Sequence, residues 1–218
     1  MMPGAVGRGM FLTVEGGEGA GKSTQMDVIE AVLREKGIAV LRTREPGGTP
    51  LAEEIRSLLL TPREEPVIEL TELLLVFAAR AQHLESFIRP ALSRGDWVLC
   101  DRFVDATLAY QGAGRGMSAE LIARLRDLVL GDFTPDFTLL LDVPAQRGLE
   151  RAAARGASDR FERESTQFHE RVRECYLRLA HDEPARISRV DAGAALEVVS
   201  ASVREAVLGF IARTGHRA

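Results

Sequence analysis

Apolar positions along this chain fall into short unbroken runs, separated by longer stretches in which they recur every three or four residues. The runs at 10–15, 39–43, 97–100 and 137–142 predict strands, because a strand covered on both faces carries apolar side chains on both. A fifth, at 187–190, has a weaker pattern. Helical periodicity covers 22–36, where Gly37 suits a left-handed cap, and 51–60, which stops before Thr61-Pro62. It also covers 69–94, ending at Gly95 with a kink expected at Pro90, and 119–130, with Ser118 as the N-cap. Three more helices are predicted over 145–154, 165–181 and 194–213. Strands alternating with helices predict an α/β fold, a parallel sheet wrapped by helices. No repeat or linker divides the 218 residues, so one domain is expected.

Composition narrows the partners. A hydrophobic share of 45% and a charged share of 28% are those of a globular chain that can bury a full core. A net charge of −4 argues against nucleic acid as the main partner. Cys100 and Cys175 form no C-x-x-C pair and sit in apolar surroundings, which predicts two buried thiols in a reducing compartment. No stretch has the length of a membrane span or the pattern of a signal peptide, and the cytoplasm is the expected location. His83, His169, His181 and His216 show no metal-ligand spacing.

The chemistry begins at Gly16-Gly17-Glu18-Gly19-Ala20-Gly21-Lys22-Ser23, which follows the first predicted strand and opens the first helix. This is the G-x-x-x-x-G-K-[ST] pattern of a nucleoside triphosphate loop. Glycines let successive N–H groups turn toward phosphate, Lys22 reaches the β- and γ-phosphates, the Ser23 hydroxyl can ligate Mg²⁺, and Thr24 completes the helix start. Of 28 basic residues only Lys22 and Lys36 are lysine, so a chain that otherwise takes arginine keeps a compact ammonium at the loop.

Two further segments end on the same sheet edge. Asp101-Arg102 follows the strand at 97–100, at the carboxyl end where open α/β sheets bind ligands. The carboxylate is a candidate for Mg²⁺ and the guanidinium for a second phosphate, against the plainer reading of a local ion pair. Thr43-Arg44-Glu45-Pro46-Gly47-Gly48-Thr49 follows the strand at 39–43; turn chemistry accounts for its Pro-Gly core and leaves Arg44 over. Arginines at 147, 151 and 155 would form one stripe of like charge on a helix, with Arg160 and Arg163 beyond it. Such a stripe suits a lid that closes over triphosphate, although a solvated helix face is the commoner fate of a charge run.

Two readings of a triphosphate loop compete: a nucleoside monophosphate kinase and a nucleotide-driven switch. A GTPase switch needs Asn-Lys-x-Asp, and the chain contains no asparagine. An ATP-driven switch has no use for arginines on further loops at the same edge.

Taken together, the loop, Thr43 to Thr49, Asp101-Arg102-Phe103, Ala109-Tyr110-Gln111-Gly112, Pro135-Asp136 and Arg155-Gly156-Ala157-Ser158-Asp159-Arg160 resemble the thymidylate kinase family over nearly the whole chain. The resemblance implies a P-loop nucleoside monophosphate kinase fold with five parallel strands and a short lid at about 147–164. It implies transfer of the γ-phosphoryl of ATP to dTMP with Mg²⁺, in a homodimer. Kinase action on another pyrimidine monophosphate stays open. By resemblance, Glu18 meets the sugar 3′-hydroxyl, Arg44 and Arg102 hold the acceptor phosphate, and Arg80 and Thr107 meet the base. Tyr110 crowds the 2′ position, with Gln111 beside it. Gly19 stands where some relatives carry arginine, which leaves the catalytic cation to the lid, to Arg155 or Arg160. The family's base-stacking aromatic falls at Val76 here, with Phe77 one residue on: either Phe77 reaches the base through a locally altered helix, or Val76 offers an apolar wall.

Overall fold

The computed structural model describes residues 8–154, 156 and 159–215. Among them five strands, β1 (Phe11–Glu15), β2 (Val40–Arg44), β3 (Trp97–Asp101), β4 (Phe137–Asp142) and β5 (Ile187–Asp191), form one parallel sheet in the order β2-β3-β1-β4-β5. The central strands β1 and β4 are buried throughout, as unbroken apolar runs require, while the edge strands β2 and β5 are partly exposed. Period-two alternation sends Leu12, Leu99, Leu139 and Leu141 to one face of the sheet. Phe11, Val98 and Cys100 face the other.

Helix α1 (Lys22–Glu35) and helix α9 (Leu196–Thr214) cover the first face, where Ile29, Leu33, Val203, Val207 and Phe210 bury against Trp97 and Phe137. The second face receives a long rod. It runs as α3 (Glu69–His83), a π-helical turn at Leu84–Ile88, and α4 (Arg89–Ser93). The kink expected at Pro90 is thus a local widening: Pro90 has no N–H and its ring would strike the carbonyl of Ser86, and the wider π turn just before it relieves both. Helix α8 (Thr166–Asp182), capped by Ser165, completes that layer with Phe168, Val172 and Tyr176. Helix α2 (Pro50–Leu60) is capped by the Thr49 hydroxyl, and helix α6 (Ala119–Leu130) by Ser118 as expected.

One helix escapes the sequence pattern. Residues after Arg102 form α5 (Val104–Thr107) and run straight into a π-helical stretch, Leu108–Gly114. Its glycines at 112 and 114 and its short length hide any 3.6-residue period. Gly114 has a packing reason, since a Cβ there would lie 2.5 Å from the Phe168 ring.

Helix α7 (Ala145–Ala153) presses directly on the glycine-rich loop. A Cβ on Gly148 would stand 2.3 Å from the Glu18 carbonyl oxygen, and one on Gly19 would stand 2.0 Å from the Gly148 carbonyl oxygen. Two backbones touch where no side chain fits. Gly148→Ala must push α7 off the loop, and overpacking of this kind costs about 1–3 kcal/mol. At about 2–4 °C per kcal/mol for a chain of this size, we expect a lower melting temperature by calorimetry and a higher KM for ATP.

Candidate active site

The parallel register brings the carboxyl ends of all five strands to one edge. Beyond the strands the pairing continues, with Glu45 N–H donating to Asp101 O at 2.9 Å and Arg102 N–H to Val14 O at 3.0 Å. The loop after β1 therefore lies beside the end of β3, with the end of β2 next in the row. Gly16, Gly19 and Gly21 take φ of 141°, 64° and 86°, conformations costly for any other residue. Gly21 caps α1, whose first N–H groups have no intrahelical acceptor and face the loop. Lys22 is 8% exposed and donates to the carbonyls of Gly16 and Gly17, each at 3.1 Å. Burial, followed by the nearby Arg102, lowers its pKa, and the Asp101, Glu18 and Glu15 carboxylates oppose that. Ala20, Gly21, Thr24 and Gln25 open onto a cleft bounded by Arg151 and the start of α9.

A second cavity lies across Glu18, lined by Arg56, Val76, Arg80, Arg102, Thr107, Tyr110 and Gln111 among others. At its mouth Arg102 Nη2 donates to Glu18 Oε1 at 2.7 Å and to the Tyr110 hydroxyl at 2.8 Å, while that hydroxyl donates to Glu18 Oε1 at 2.7 Å. Arg102 holds φ at 68°, a strained backbone for a residue other than glycine. Burial alone would raise the Glu18 carboxyl; the cations of Arg102 and Lys22 and the Tyr110 hydroxyl instead bring it down to about 2. Arg56 is held below its usual range by burial and then by Arg44 and Arg102. Arg56 and Arg102 converge on the cavity beside Glu18, which is a place for an anion.

Arg80 is 2% exposed and fixed from every side. Its Nε donates to Glu45 Oε2 at 2.7 Å, Nη1 to the Thr107 hydroxyl at 2.9 Å and Nη2 to Phe103 O at 3.0 Å. The Phe77 and Phe103 rings flank its guanidinium at 5.1 and 5.2 Å. Behind Glu45, the His83 ring bridges its carboxylate at 3.1 Å and the Thr43 hydroxyl at 2.6 Å.

Several expected positions come out differently. Phe77, the expected base contact, packs into the core with Leu73 and Ile122 and lies under Arg80; Val76 is the residue on the cavity wall. One step along a helix turns a side chain by about 100°, so only one of the two can face the cavity. Arg44 pairs with Glu53 at 2.8 Å and lines the neighbouring clefts with Ser23, Asp101 and Arg56 rather than the cavity itself. Arg160 also departs from expectation. Its Nη2 lies 2.7 Å from the buried Glu72 carboxylate and its Nε donates to Leu59 O at 2.9 Å, so its charge is directed to Glu72. Gln111 lines the cavity and donates to Glu72 at 2.8 Å. Arg151 donates to Ala192 O at 2.9 Å and lines the cleft beside Gly21 and Thr24. Arg155 and His216 lie outside the described residues.

Sequence reading missed Arg56, Glu72 and His83. Arg56 is one exposed-looking arginine among many on an amphipathic helix, and Glu72 and His83 sit in helical periodicity where only tertiary partners distinguish them. As for metal, Asp101 Oδ1 is buried without a hydrogen-bond partner and shares a cleft with the Ser23 hydroxyl, a donor pair of hard oxygens that suits Mg²⁺. Among the described residues no group of three or more His, Cys, Asp or Glu forms a metal cluster.

The family model for thymidylate kinase matches residues 14–203. The thymidylate kinase of Teredinibacter turnerae is 57% identical over 203 residues, covering 93% of this chain and 99% of that one. That of Pseudomonas putida is 58% identical over 205 residues, covering 94% and 98%. A crystal structure of thymidylate kinase from Ehrlichia chaffeensis superposes with a TM-score of 0.72 at 33% identity, covering 94% and 99%.

Beneath the site Glu15 carries a prediction. It is fully buried, accepting from Phe103 N–H at 2.7 Å and the Tyr176 hydroxyl at 2.8 Å. Burial and then Asp105 push its pKa up to about 7. A carboxyl raised in the folded state contributes stability below its unfolded value of 4.5 and loses it as pH rises through about 7. Urea melts should therefore show stability falling between pH 5 and 8, and Glu15→Gln should flatten that slope.

Proposed function

This chain belongs to the thymidylate kinase family, and on that premise we propose how its residues transfer the γ-phosphoryl of ATP to dTMP. The observation that carries the reading is the position of Glu18. It is part of the phosphate loop and also lines the second cavity, so the triphosphate and acceptor sites share a wall.

On the donor side the loop from Gly16 to Ser23, with Thr24, cradles the phosphates through backbone N–H groups, and Lys22 places its charge on the β- and γ-phosphates. Ser23 and Asp101 hold Mg²⁺, which when bound offsets charge on the phosphate oxygens. On the acceptor side Arg102 and Arg56 hold the monophosphate, with Arg44 at the adjoining cleft. Arg80 donates to a base carbonyl through the second N–H groups of its Nη atoms, and Thr107 and Glu45 keep it from rotating. Val76 and Phe103 give the base an apolar wall. Tyr110 and Glu18 close on the sugar, leaving little room for a 2′-hydroxyl. Because Arg160 is bound at Glu72, the lid charge on the transferring group falls to Arg155.

Phosphoryl transfer asks for in-line alignment and charge neutralisation rather than covalent help, which matches a site built of cations on rigid strand ends. For the assembly we propose the homodimer that the resemblance implies, through the apolar side chains left exposed on α3 and α6, among them Leu70, Leu74 and Leu128. Among the described residues no helix is long and apolar enough to cross a membrane, and we propose action in the cytoplasm.

Steady-state assays across dTMP, dUMP, CMP, UMP, AMP and GMP test the acceptor. One methyl in a fitted pocket separates substrates by about 10–200-fold, so kcat/KM should favour dTMP over dUMP by that order and exclude the purines. A stronger rate with CMP or UMP would move the assignment to another pyrimidine nucleotide, and ATP hydrolysis unaffected by any acceptor would point to a switch. Lys22→Ala should abolish transfer. Arg102→Ala should raise KM for dTMP about 10–100-fold, the loss of a charged hydrogen bond, while KM for ATP moves about twofold or less. Equal losses for both nucleotides would refute this division of roles.

A further inference from the structure

Glu72 is a carboxylate with no role in the machinery above, yet it is completely buried. It stands one turn before Val76 and two before Arg80, on the face of α3 that looks at the acceptor cavity. Its Oε1 accepts from Gln111 Nε2 at 2.8 Å and from Arg115 Nε at 3.3 Å. Its Oε2 accepts from Arg115 Nη2 at 3.2 Å and lies 2.7 Å from Arg160 Nη2. One carboxylate thus joins the cavity wall, the turn after the π-helical stretch, and the lid.

The lid end of this cluster is tied down further. Arg160 N–H donates to Leu60 O at 3.3 Å and its Nε to Leu59 O, both at the unpaired carboxyl end of α2. Arg115 reaches the lid from the other side, with Nη1 2.6 Å from Glu164 Oε1. The Phe161 ring packs against the Arg160 guanidinium at 4.6 Å, and Asp159 and Phe161 form the lid's share of the cavity wall. The charges nearly balance: two guanidiniums, each about 15% exposed, face Glu72 and Glu164. Removing the Glu72 charge leaves the two cations opposed in a place with little water.

We infer that Glu72 is a positioning residue for phosphoryl transfer: through Arg160 and Arg115 it latches the lid onto the acceptor cavity, and through Gln111 it ties that latch to the cavity wall. Arg160 acts in this latch as an anchor, with no contact to the transferring group. The inference rests on the kinase reading above. A lid held by the acceptor wall keeps water from the γ-phosphate until the acceptor is in place, which a kinase needs if it is not to hydrolyse ATP.

Three readouts test this on the full chain: limited trypsin digestion with cleavage mapped across residues 155–164, steady-state kinetics with ATP and dTMP, and the share of ATP released as inorganic phosphate. Glu72→Gln keeps the shape and removes the charge. It should raise lid cleavage and lower kcat, each by about tenfold, the order expected for one charged hydrogen bond. KM for ATP should stay within about twofold and the share lost to hydrolysis should rise. Arg160→Met removes the trypsin site at 160 itself and should do the same at the sites after Arg155 and Arg163, and the double variant should be no worse there than the worse single one, because both break a single latch. Melting curves check folding, and if Glu72→Gln does not fold, Arg160→Met carries the test alone through digestion and hydrolysis. Unchanged digestion and kcat in either folded variant would overturn the latch. So would an Arg160→Met that stops transfer without loosening the lid, since that would make Arg160 a direct contact of the phosphoryl group. Failure of the kinase reading is separate: it would show as no transfer to dTMP by the unaltered chain, with the digestion pattern still responding to Glu72→Gln.

Discussion

The site depends on one carboxylate. Glu18, helped by Asp101, supplies the counter-charge that lets Lys22 and Arg102 stay buried within reach of each other, and it alone touches Arg102 directly from the phosphate loop. Its position follows from β1, because the glycine-rich turn after that strand is where the chain must reverse to start α1. Arg102 arrives from β3, the neighbour of β1, with a strained backbone that the β1 pairing at Val14 holds in place. Tyr110 comes from the π-helical stretch beyond. Two segments far apart in sequence, the loop after β1 and the stretch from Arg102 to Tyr110, therefore meet at a single oxygen of Glu18.

Much of this was legible in the chain itself, and the reasons are physical. Buried parallel strands betray themselves as apolar runs, so all five were placed, even β5 with its weak pattern. A phosphate loop needs glycine, lysine and serine at fixed spacing because backbone geometry allows little else. Positions just beyond strand ends carry chemistry in open α/β sheets, which singled out Asp101 and Arg102. Ser118 declared its cap in the same local way.

What stayed hidden depends on contacts between elements. The period of α3 marks Val76 and Phe77 as apolar without saying which looks into the cavity, since that is set by how far the rod is rotated against the sheet. Arg56 and Arg160 belong to a chain rich in arginine, where identity alone separates nothing. Glu72 and His83 read as ordinary helix surface and are both fully buried, each answering cations or hydroxyls from other segments. The π-helical stretch has no 3.6-residue period to detect, although it carries Tyr110 and Gln111.

The close approach of Gly19 and Gly148 bears on how such enzymes diverge. A lineage that places its catalytic cation in the lid and one that places it in the loop differ by more than an exchanged side chain. Here the backbone of one segment occupies the volume that a loop arginine would need, so a single substitution at position 19 meets a carbonyl before it meets a phosphate. Passage between the two designs then requires an intermediate in which the lid's first helix has already withdrawn, and natural variation should keep these two positions in step.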